Sequence, residues 1–499
     1  MLKTLKNLTK DTFTYGFASV LGQIIGFLLL PIYTTHLSTK DYGVMAMITF
    51  ISMFFAPLAN MGVTNAIFRR FNLHKEEELQ VTSLSIGSIF VLVSSLVLLT
   101  IGFVFSKEIT YLLVDDIKYQ SLIKLSLITA FFVSVGQVFT VVLRAKRKVT
   151  QIAIVRITEL LITVGFAIYF VVILKLEVEG IVKAGLIGSI FGFLIQYVLC
   201  FSLIKFRVDV TELKELLKYG LPFLPHRLLA HGSNFLSLYF IKEFIGLSET
   251  GLYNIALRFT LPLAFIIGSV QSAWVPIKFQ IHRVEGEKSA LIFRQLISFY
   301  FIIITLLFTG VIILGPELLR LMTVIEYHSA VYLLPFVLLV PFSKGIYFMF
   351  GTGFEFTNNT KPMPLISGSG IIALIVITYF LHTPFGVYGI IIGLIASWLT
   401  MAIVMRYFAI KRFYVPINFK LIAQLFFITI ILGIIIFAIQ GLSVGVRISI
   451  EIVLAILSVG FFISLFIFNK DLQTLELNKY PMFNKLNSIL IPVIKRIKK

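Results

Sequence analysis

A small set of ionisable side chains lies inside long apolar stretches of this chain, where helices would cross a lipid bilayer. An ionisable group costs about 2.5–3.5 kcal/mol at the centre of such a helix, so it usually faces a water-filled cavity or a partner. Because Arg offers a planar fork of donors and Lys a point charge, buried cations suit anionic groups such as phosphate. The set, which is mostly basic, comprises Arg156, Glu159, His226, Arg227, His231, Arg258 and Lys344.

Each of these residues also has a structural interpretation. Arg156 and Glu159 are three residues apart, and at this spacing an internal ion pair is favoured over a ligand site. Arg258 is near one end of its stretch, where its head group could snorkel to the interface. His226 and His231 have no metal-type ligands beside them in sequence, so a metal site is not expected. We predict that His226 and Pro225 shape a broken helix, since Pro222 and Pro225 each remove a backbone donor. For Arg227 and Lys344 the two interpretations are evenly balanced.

The elements that would position these residues are transmembrane helices. The chain has 499 residues, of which 58% are hydrophobic and only 13% charged, about half the charge of a soluble protein. This composition excludes a cytosolic enzyme, a disordered protein and a secreted disulfide scaffold. About 20 apolar residues cross the hydrocarbon, and the sequence predicts fourteen such spans: 12–35, 43–67, 81–105, 121–143, 150–174, 181–204, 218–243, 252–276, 291–314, 329–353, 363–383, 387–410, 420–440 and 447–468.

The distribution of charge predicts the orientation of these spans. The formal net charge is +19, but apolar spans interrupt the basic residues, so cytoplasmic loops explain the charge better than nucleic-acid binding does. Alternate loops hold clusters such as Arg69–Arg70 and Arg144–Lys148, and the tail ends in Lys498–Lys499. We therefore expect both termini on the cytoplasmic side of the membrane. The first apolar run is interpreted as a membrane helix and not as a signal peptide. Because Cys200 is the single cysteine, an intrachain disulfide is excluded.

The sequence contains an internal repeat with a period of six spans. Leu37-Ser38 and Tyr42-Gly43 after span 1 match Leu247-Ser248 and Gly251-Leu252-Tyr253 after span 7, and spans 6 and 12 each carry a Gly-x-x-x-Gly. Since six is even, both halves would enter the membrane in the same sense, with a substrate path between them. The predicted organisation is an N-terminal lobe (1–204), a C-terminal lobe (205–410), a terminal helix pair (411–469) and a basic tail (470–499).

The residues from Thr12 to Phe71 resemble the polysaccharide flippase family, often described as O-antigen or oligosaccharide flippases. The resemblance rests on Leu30-Pro-Ile-Tyr-Thr-Thr35, Leu37-Ser38-x-x-x-Tyr42-Gly43 and Arg69-Arg70-Phe71, together with Tyr219-Gly220-Leu221-Pro222 and Gly251-Leu252-Tyr253. It implies membership of the multidrug/oligosaccharidyl-lipid/polysaccharide exporter superfamily. It also implies an all-α polytopic membrane fold, with two pseudo-symmetric six-helix lobes around a central cavity that opens alternately to each side.

The activity that the resemblance implies is translocation of undecaprenyl-diphosphate-linked oligosaccharide to the outer leaflet, for O-antigen or capsule synthesis. We expect Arg227 and Lys344 to bind the diphosphate, with Arg258 and Arg156 as secondary contacts, and Glu159 to serve in an ion-coupling or structural pair. No cofactor is expected, and a polysaccharide polymerase is a candidate partner. Side chains that could hydrogen-bond sugar hydroxyls are Gln23, Asn60, Gln137, Asn234 and Gln271.

Three alternatives remain open from the sequence. A cation-coupled drug exporter of the same superfamily would need carboxylates in its first helix and cavity, whereas the charges within these spans are mostly positive. A polysaccharide polymerase or ligase would need a substantial external loop, and the longest outside connection, at 106–120, offers only Glu108, Asp115 and Asp116 as acids. A purely structural scaffold would leave the cations unexplained. The chain carries no phosphate-binding Gly-x-x-x-x-Gly-Lys-Ser/Thr loop, so ATP is not expected as the direct energy source.

Overall fold

The computed structural model describes residues 22, 24–73, 76–203, 209–356 and 361–469. Within these ranges the regular elements are all helical and no strand occurs. This agrees with the all-α prediction and with the rule that a span in lipid must satisfy its own backbone hydrogen bonds. The basic tail at 470–499 and nearly all of residues 12–23 lie outside the described part of the chain.

The helices are numbered in chain order, and most of them follow the predicted spans. They are α1 (Leu30–His36), α2 (Thr39–Asn60), α3 (Val63–Leu73), α4 (Glu77–Val104), α5 (Ser106–Val114), α6 (Gln120–Ala145), α7 (Val149–Ile168), α8 (Glu177–Cys200), α9 (Val210–Gly220), α10 (Phe223–Phe244), α11 (Leu247–Arg258), α12 (Leu261–Glu285), α13 (Ser289–Met322), α14 (Ala330–Val337), α15 (Leu339–Phe350), α16 (Met363–Phe385), α17 (Val387–Ile410), α18 (Phe419–Ile439) and α19 (Val444–Phe468).

Among the described residues, 11 helices are long and apolar enough to cross a membrane, or 12 if the pair α11 and α12, bent by 52°, counts as one span. The count of fourteen therefore stays a prediction. Only the second half of the first predicted span lies within the described residues, where it contributes to a shorter apolar helix, Ile24–His36. The seventh corresponds to α10, whose two histidines, Arg227 and Asn234 make it less apolar than the other spans.

Four predicted spans are interrupted by breaks in the helix, of which the shortest, in the span at 329–353, is the single residue Leu338 between α14 and α15. The span at 43–67 divides between α2 and α3, where Met61 and Gly62 have φ values of 43° and 75°. This left-handed geometry ends α2. The span at 218–243 begins within α9 and resumes in α10 after Pro222, which precedes the first residue of α10 and cannot donate a backbone hydrogen bond. The span at 252–276 bends between α11 and α12.

The chain forms two compact units. Unit 1 consists of Met1–Asn254, Thr323–Tyr327 and His382–Ile390, and unit 2 of Ile255–Met322, His328–Leu381 and Ile391–Lys499. Most of unit 1 thus comes from the first half of the chain, together with short segments from the second half. The lobe boundaries at 204 and 410 stay a prediction.

The core of unit 1 joins α3, α4, α6 and α9. Its fully buried members include Val63, Leu84, Val138 and Leu216, one from each of these helices. The short amphipathic α9 is thereby fixed against the ends of longer helices. This contact positions the charged residues of α9 beside those of α3.

The core of unit 2 is built along α13, the longest helix. Phe293, Phe301 and Phe308 of α13 are fully buried, and the Phe342 ring of α15 lies 6.0 Å from that of Phe301 and 5.4 Å from that of Phe308. Large apolar side chains are exposed along α18 and α19, as expected for helices that face lipid; they include Phe427, Ile431, Ile434, Val453, Ile456 and Leu457.

Small residues bring neighbouring helices together in both units, as the Gly-x-x-x-Gly pattern predicts. In unit 1 a Cβ at Gly188 of α8 would overlap the Thr163 hydroxyl of α7, and one at Gly192 would lie 3.1 Å from the Glu159 carboxylate. In unit 2 a Cβ at Gly393 of α17 would lie 2.5 Å from the Thr378 hydroxyl of α16. The same glycine–threonine contact therefore occurs in corresponding helix pairs of the repeat.

Candidate substrate-binding site

Arg227 lies in the first part of α10, within unit 1. Its Nη2 donates a hydrogen bond of 2.9 Å to the Asn65 Oδ1 of α3, and the side chain is half-buried. Among the described residues no carboxylate forms an ion pair with this guanidinium. The partner is a neutral amide that leaves the positive charge uncompensated, so Arg227 keeps donors available for an anionic ligand.

Lys344 lies in the middle of α15, within unit 2. Its ammonium is 5.3 Å from the centre of the Trp398 ring of α17, a cation–π distance. The side chain is exposed, and in the described part of the chain no carboxylate is within ion-pair distance of it. An aromatic face stabilises the ammonium without neutralising it. Lys344 therefore resembles Arg227 in carrying an uncompensated charge.

Arg156 and Glu159 form an ion pair on α7, with 3.0 Å between Arg156 Nη1 and Glu159 Oε2. The arginine side chain is 47% exposed and the glutamate side chain 21%. The carboxylate also packs beside Gly192 of α8. Because each charge compensates the other, this pair needs no external ligand, and a role for Arg156 as a secondary substrate contact stays a prediction.

Arg258 is the last residue of α11, at the bend that separates it from α12. It is half-buried, and it lies in unit 2. Arg227 and Arg258 thus belong to different units. The predicted role of Arg258 as a secondary contact stays a prediction.

Two of the five candidate sugar-binding residues meet in unit 1. The fully buried Asn60 Nδ2 donates 2.8 Å to the Ala56 carbonyl and 3.3 Å to Gln137 Oε1. Asn60 Oδ1 is buried and accepts no hydrogen bond from the described residues. Asn234 and Gln271 are half-buried, while Gln23 lies outside the described residues. Asn60 and Gln137 therefore form one polar contact between α2 and α6, and their roles as sugar contacts stay predictions.

The two histidines of α10, His226 and His231, are of a residue type that can bind a metal. Within the described ranges no group of three His, Cys, Asp or Glu residues could hold a metal ion. Both residues follow the break at Pro222, and only His231 has a described side chain, which is half-buried.

Sequence reasoning missed two buried lysines that have carboxylate partners. Lys242 of α10 is only 1% exposed and contacts Asp115 and Glu243 at 2.7 and 3.1 Å. Lys278 of α12 is 2% exposed and contacts Glu355 at 2.5 Å. Asp115 and Lys242 were visible in sequence as ends of spans, but they are 127 residues apart, so nothing in the local pattern pairs them.

The repeated glycine motifs meet at one end of unit 1. A Cβ at Gly43 of α2 would overlap the Leu247 carbonyl oxygen, and a Cβ at Gly251 of α11 would overlap the Thr39 carbonyl oxygen. The backbones of the two motifs are thus in direct contact. Only glycine permits this approach, which explains why both copies of the repeat carry one.

Tyr327 reinforces the same end of unit 1. Its hydroxyl donates 2.7 Å to the Leu37 carbonyl, and its ring packs edge-on against Tyr42 at 5.8 Å. Burial raises the pKa of the Tyr327 hydroxyl above its ordinary value, and the neighbouring Tyr42, Asp41 and Glu326 add to the rise. The hydroxyl therefore stays protonated and keeps donating at physiological pH. We call this end, made of Leu37, Gly43, Leu247, Gly251 and Tyr327, the glycine end.

Comparison with solved structures shows which known fold this chain has. The chain is similar to a solved structure of the lipid II flippase MurJ in an inward closed conformation, with a TM-score of 0.71 and 15% identity over 91% of this chain and 98% of the other. It is also similar to an inward-facing multidrug resistance MATE family transporter of the MOP superfamily, with a TM-score of 0.61 and 16% identity over 81% and 95%. A Vibrio cholerae MATE transporter, VcmN, gives 0.57 and 13% over 86% and 98%. The chain therefore shares the fold of these flippase and transporter structures.

A match to a protein-family model shows the family to which the chain belongs. The family model described as polysaccharide biosynthesis protein matches residues 8–282, which is more than half of the chain. The chain belongs to this family, and the resemblance seen in its short motifs is confirmed. No curated protein sequence matches it significantly.

Proposed function

We propose that this protein translocates an undecaprenyl-diphosphate-linked oligosaccharide from the inner to the outer leaflet of a bacterial cytoplasmic membrane. Its product would serve the synthesis of a surface polysaccharide, O-antigen or capsule, and a polysaccharide polymerase would use it next. Both termini would be cytoplasmic. The proposed activity is transport, with no covalent bond made or broken. Membership of the polysaccharide biosynthesis family supports this proposal, and so does a fold shared with a lipid II flippase.

The observation that carries the proposal is the uncompensated charge of Arg227. A diphosphate and its sugars cannot cross hydrocarbon unaided, because an unpaired charge in an apolar medium costs far more than a few kcal/mol. A guanidinium held by Asn65 at 2.9 Å keeps a defined direction while leaving several N–H donors for phosphate oxygens. Lys344 would supply a second positive charge, and Arg258 and Arg156 would contribute less.

The glycine end supports a transport cycle that opens to one side at a time. In this structure α2 and α11 are packed together there, through Gly43, Gly251 and Tyr327, and the predicted orientation would put this end at the outer side. The polyprenyl tail would remain in lipid while the head group moves through a hydrated passage. For release at the outer leaflet, the glycine end would have to separate.

The direct test is a deletion strain complemented with variants at equal protein level. We expect the deletion to accumulate lipid-linked oligosaccharide on the cytoplasmic side and to lose surface polysaccharide. Arg227→Gln should restore little surface polysaccharide, Arg227→Lys more, and Lys411→Gln, which removes an exposed cation at the end of α17, as much as the wild type. Normal surface polysaccharide in the deletion strain, accompanied by increased sensitivity to cationic drugs, would instead identify a multidrug exporter.

A further inference from the structure

A basic pocket lies in unit 1 between α3 and α9, apart from Arg227. Its volume is about 390 Å³, within the range of about 300–1,000 Å³ found for small-molecule sites. Three of its lining side chains are cationic and only one is acidic. The lining residues are Ala66, Arg69, Arg70, Glu215, Leu216, Lys218 and Tyr219.

Two glycines allow the pocket to form. A Cβ at Gly62 would overlap the Gly220 carbonyl, and a Cβ at Gly220 would lie 2.6 Å from the Gly62 carbonyl carbon. The start of α3 and the end of α9 therefore touch backbone to backbone. From this contact the two helices carry their basic residues along opposite walls of the pocket.

One of the three cations is already compensated. Arg70 donates through Nε and Nη2 to the two carboxylate oxygens of Glu212, at 3.0 and 2.9 Å. Ser83 adds a hydrogen bond of 2.6 Å to the same carboxylate. A paired fork of this kind fixes the wall of the pocket and leaves little charge on Arg70 for a ligand.

The other two cations retain their charge. The Arg69 guanidinium lies 4.5 Å from the centre of the Tyr219 ring, and Lys218 is the residue before that tyrosine. Both are exposed, and among the described residues neither forms an ion pair with a carboxylate. An arginine over an aromatic ring and a lysine in the same pocket are suited to a phosphate group, because the arginine offers a fork of donors and the lysine a point charge.

The pocket is aligned with Arg227. Asn65, which holds Arg227, is four residues before Arg69 on α3, so the two lie on one face of the helix, about 6 Å apart along its axis. The Arg69–Arg70 cluster, in the second half of α3, follows the predicted span at 43–67 in a segment that the positive-inside rule assigns to the cytoplasm. The amphipathic α9 would lie at the membrane surface there.

We propose that this basic pocket is a loading site for the diphosphate head group of the substrate on the cytoplasmic side, with Arg69 and Lys218 as its ligands. The site rests on the proposed function, since it would deliver the diphosphate one helical turn along α3 to Arg227. The half-buried Tyr219 ring would contact the head group, while the buried Leu216 and Ala66 form the apolar base of the pocket.

The test measures lipid binding to the full chain in nanodiscs, by native mass spectrometry with undecaprenyl diphosphate as the probe. We expect Arg69→Gln/Lys218→Gln to weaken binding about tenfold, because two charge-assisted contacts are lost. Arg69→Lys/Lys218→Arg should retain most of the binding. Lys214→Gln is the matched control, because Lys214 is an exposed cation on α9 that does not line the pocket; it should bind as the wild type does.

Two competitors identify the group that is recognised. Undecaprenol, which lacks phosphate, should not displace the probe, and phosphatidylglycerol should do so only at large excess. Equal displacement by phosphatidylglycerol would overturn the assignment to the substrate. If the Arg69→Gln/Lys218→Gln variant binds the probe as well as the wild type does, the assignment of this pocket as a loading site is wrong. The proposed function is tested separately, because normal surface polysaccharide in the deletion strain would contradict it.

Discussion

The cations within the predicted spans and at their ends fall into two groups. Lys242 and Lys278 are almost fully buried and contact carboxylates at 2.7 and 2.5 Å. Arg227 and Lys344 are more accessible and contact an amide oxygen and an aromatic ring. A buried ion pair is costly to break, because the remaining charge loses its only compensation. The first group therefore stabilises the fold, while the second holds positive charge that a ligand can use.

The largest effect should come from breaking a compensated pair. Glu355→Gln leaves the Lys278 ammonium buried without its carboxylate, and we expect the free energy of unfolding to fall by about 3 kcal/mol. Thermal unfolding of the detergent-solubilised protein measures this. Lys278→Met/Glu355→Gln should recover much of the loss, because no uncompensated charge remains. Equal destabilisation by the single and the double variant would show that the loss does not come from an uncompensated Lys278 charge, and would contradict the placing of Lys278 in the first group.

Arg227→Gln should have the opposite effect, with little change in stability and a large loss of transport. The free energy of unfolding should change by less than about 1 kcal/mol, because Arg227 and Asn65 are only half-buried and water can replace the hydrogen bond that is lost. Transport should fall about tenfold or more, because a charge-assisted contact to phosphate is worth about 1.5–3 kcal/mol. Surface polysaccharide at equal protein level gives the transport readout. A large loss of stability with unaltered transport per folded molecule would contradict the division into two groups.

The glycine end provides a comparison that involves no charge. Gly251→Ala adds a methyl group against the Thr39 backbone, and overpacking of this kind costs about 1–3 kcal/mol. We expect transport to fall about tenfold as the closed arrangement is destabilised. Gly185→Ala is the matched control, since a Cβ at Gly185 would meet nothing within 4 Å, and it should transport normally. Normal transport by Gly251→Ala would show that the contact is dispensable.

Lys344 should show a smaller effect than Arg227. Its ammonium is exposed and lies over an aromatic ring at 5.3 Å, so Lys344→Gln removes one point charge without disturbing a hydrogen-bonded fork. We expect transport to fall about three- to fivefold, equivalent to roughly 1 kcal/mol. Lys344→Arg should retain most of the activity. An equal loss in Lys344→Arg would show that shape, and not charge, matters at this position.

The smallest effect should come from Arg156. Its pair with Glu159 is partly exposed, and pairs of this kind contribute about 0–1 kcal/mol. Arg156→Gln should lower the free energy of unfolding by less than about 0.5 kcal/mol and transport by less than twofold. The exchange Arg156→Glu/Glu159→Arg, assayed in the same way, should transport normally. A tenfold loss of transport in the exchanged variant would show that Arg156 belongs with the uncompensated cations.

The sequence by itself determined the class of the molecule and its local geometry. Helices were required because a membrane span must satisfy its own hydrogen bonds, and most predicted spans coincide with helices to within a few residues. The spacing of Arg156 and Glu159 indicated their ion pair, since neighbours on one helix are fixed by its pitch. The short motifs identified the family that the sequence match confirms.

The tertiary structure decided which distant residues meet. Arg227 and Asn65 are 162 residues apart, and Lys242 and Asp115 are 127 apart. The partner of a cation depends on how helices pack, so no local pattern shows whether its charge is neutralised. The contact of Gly43 with the Leu247 backbone likewise arises only when the two copies of the repeat come together. Hydrophobic periodicity specifies each helix separately, and the packing between helices specifies where charge remains available.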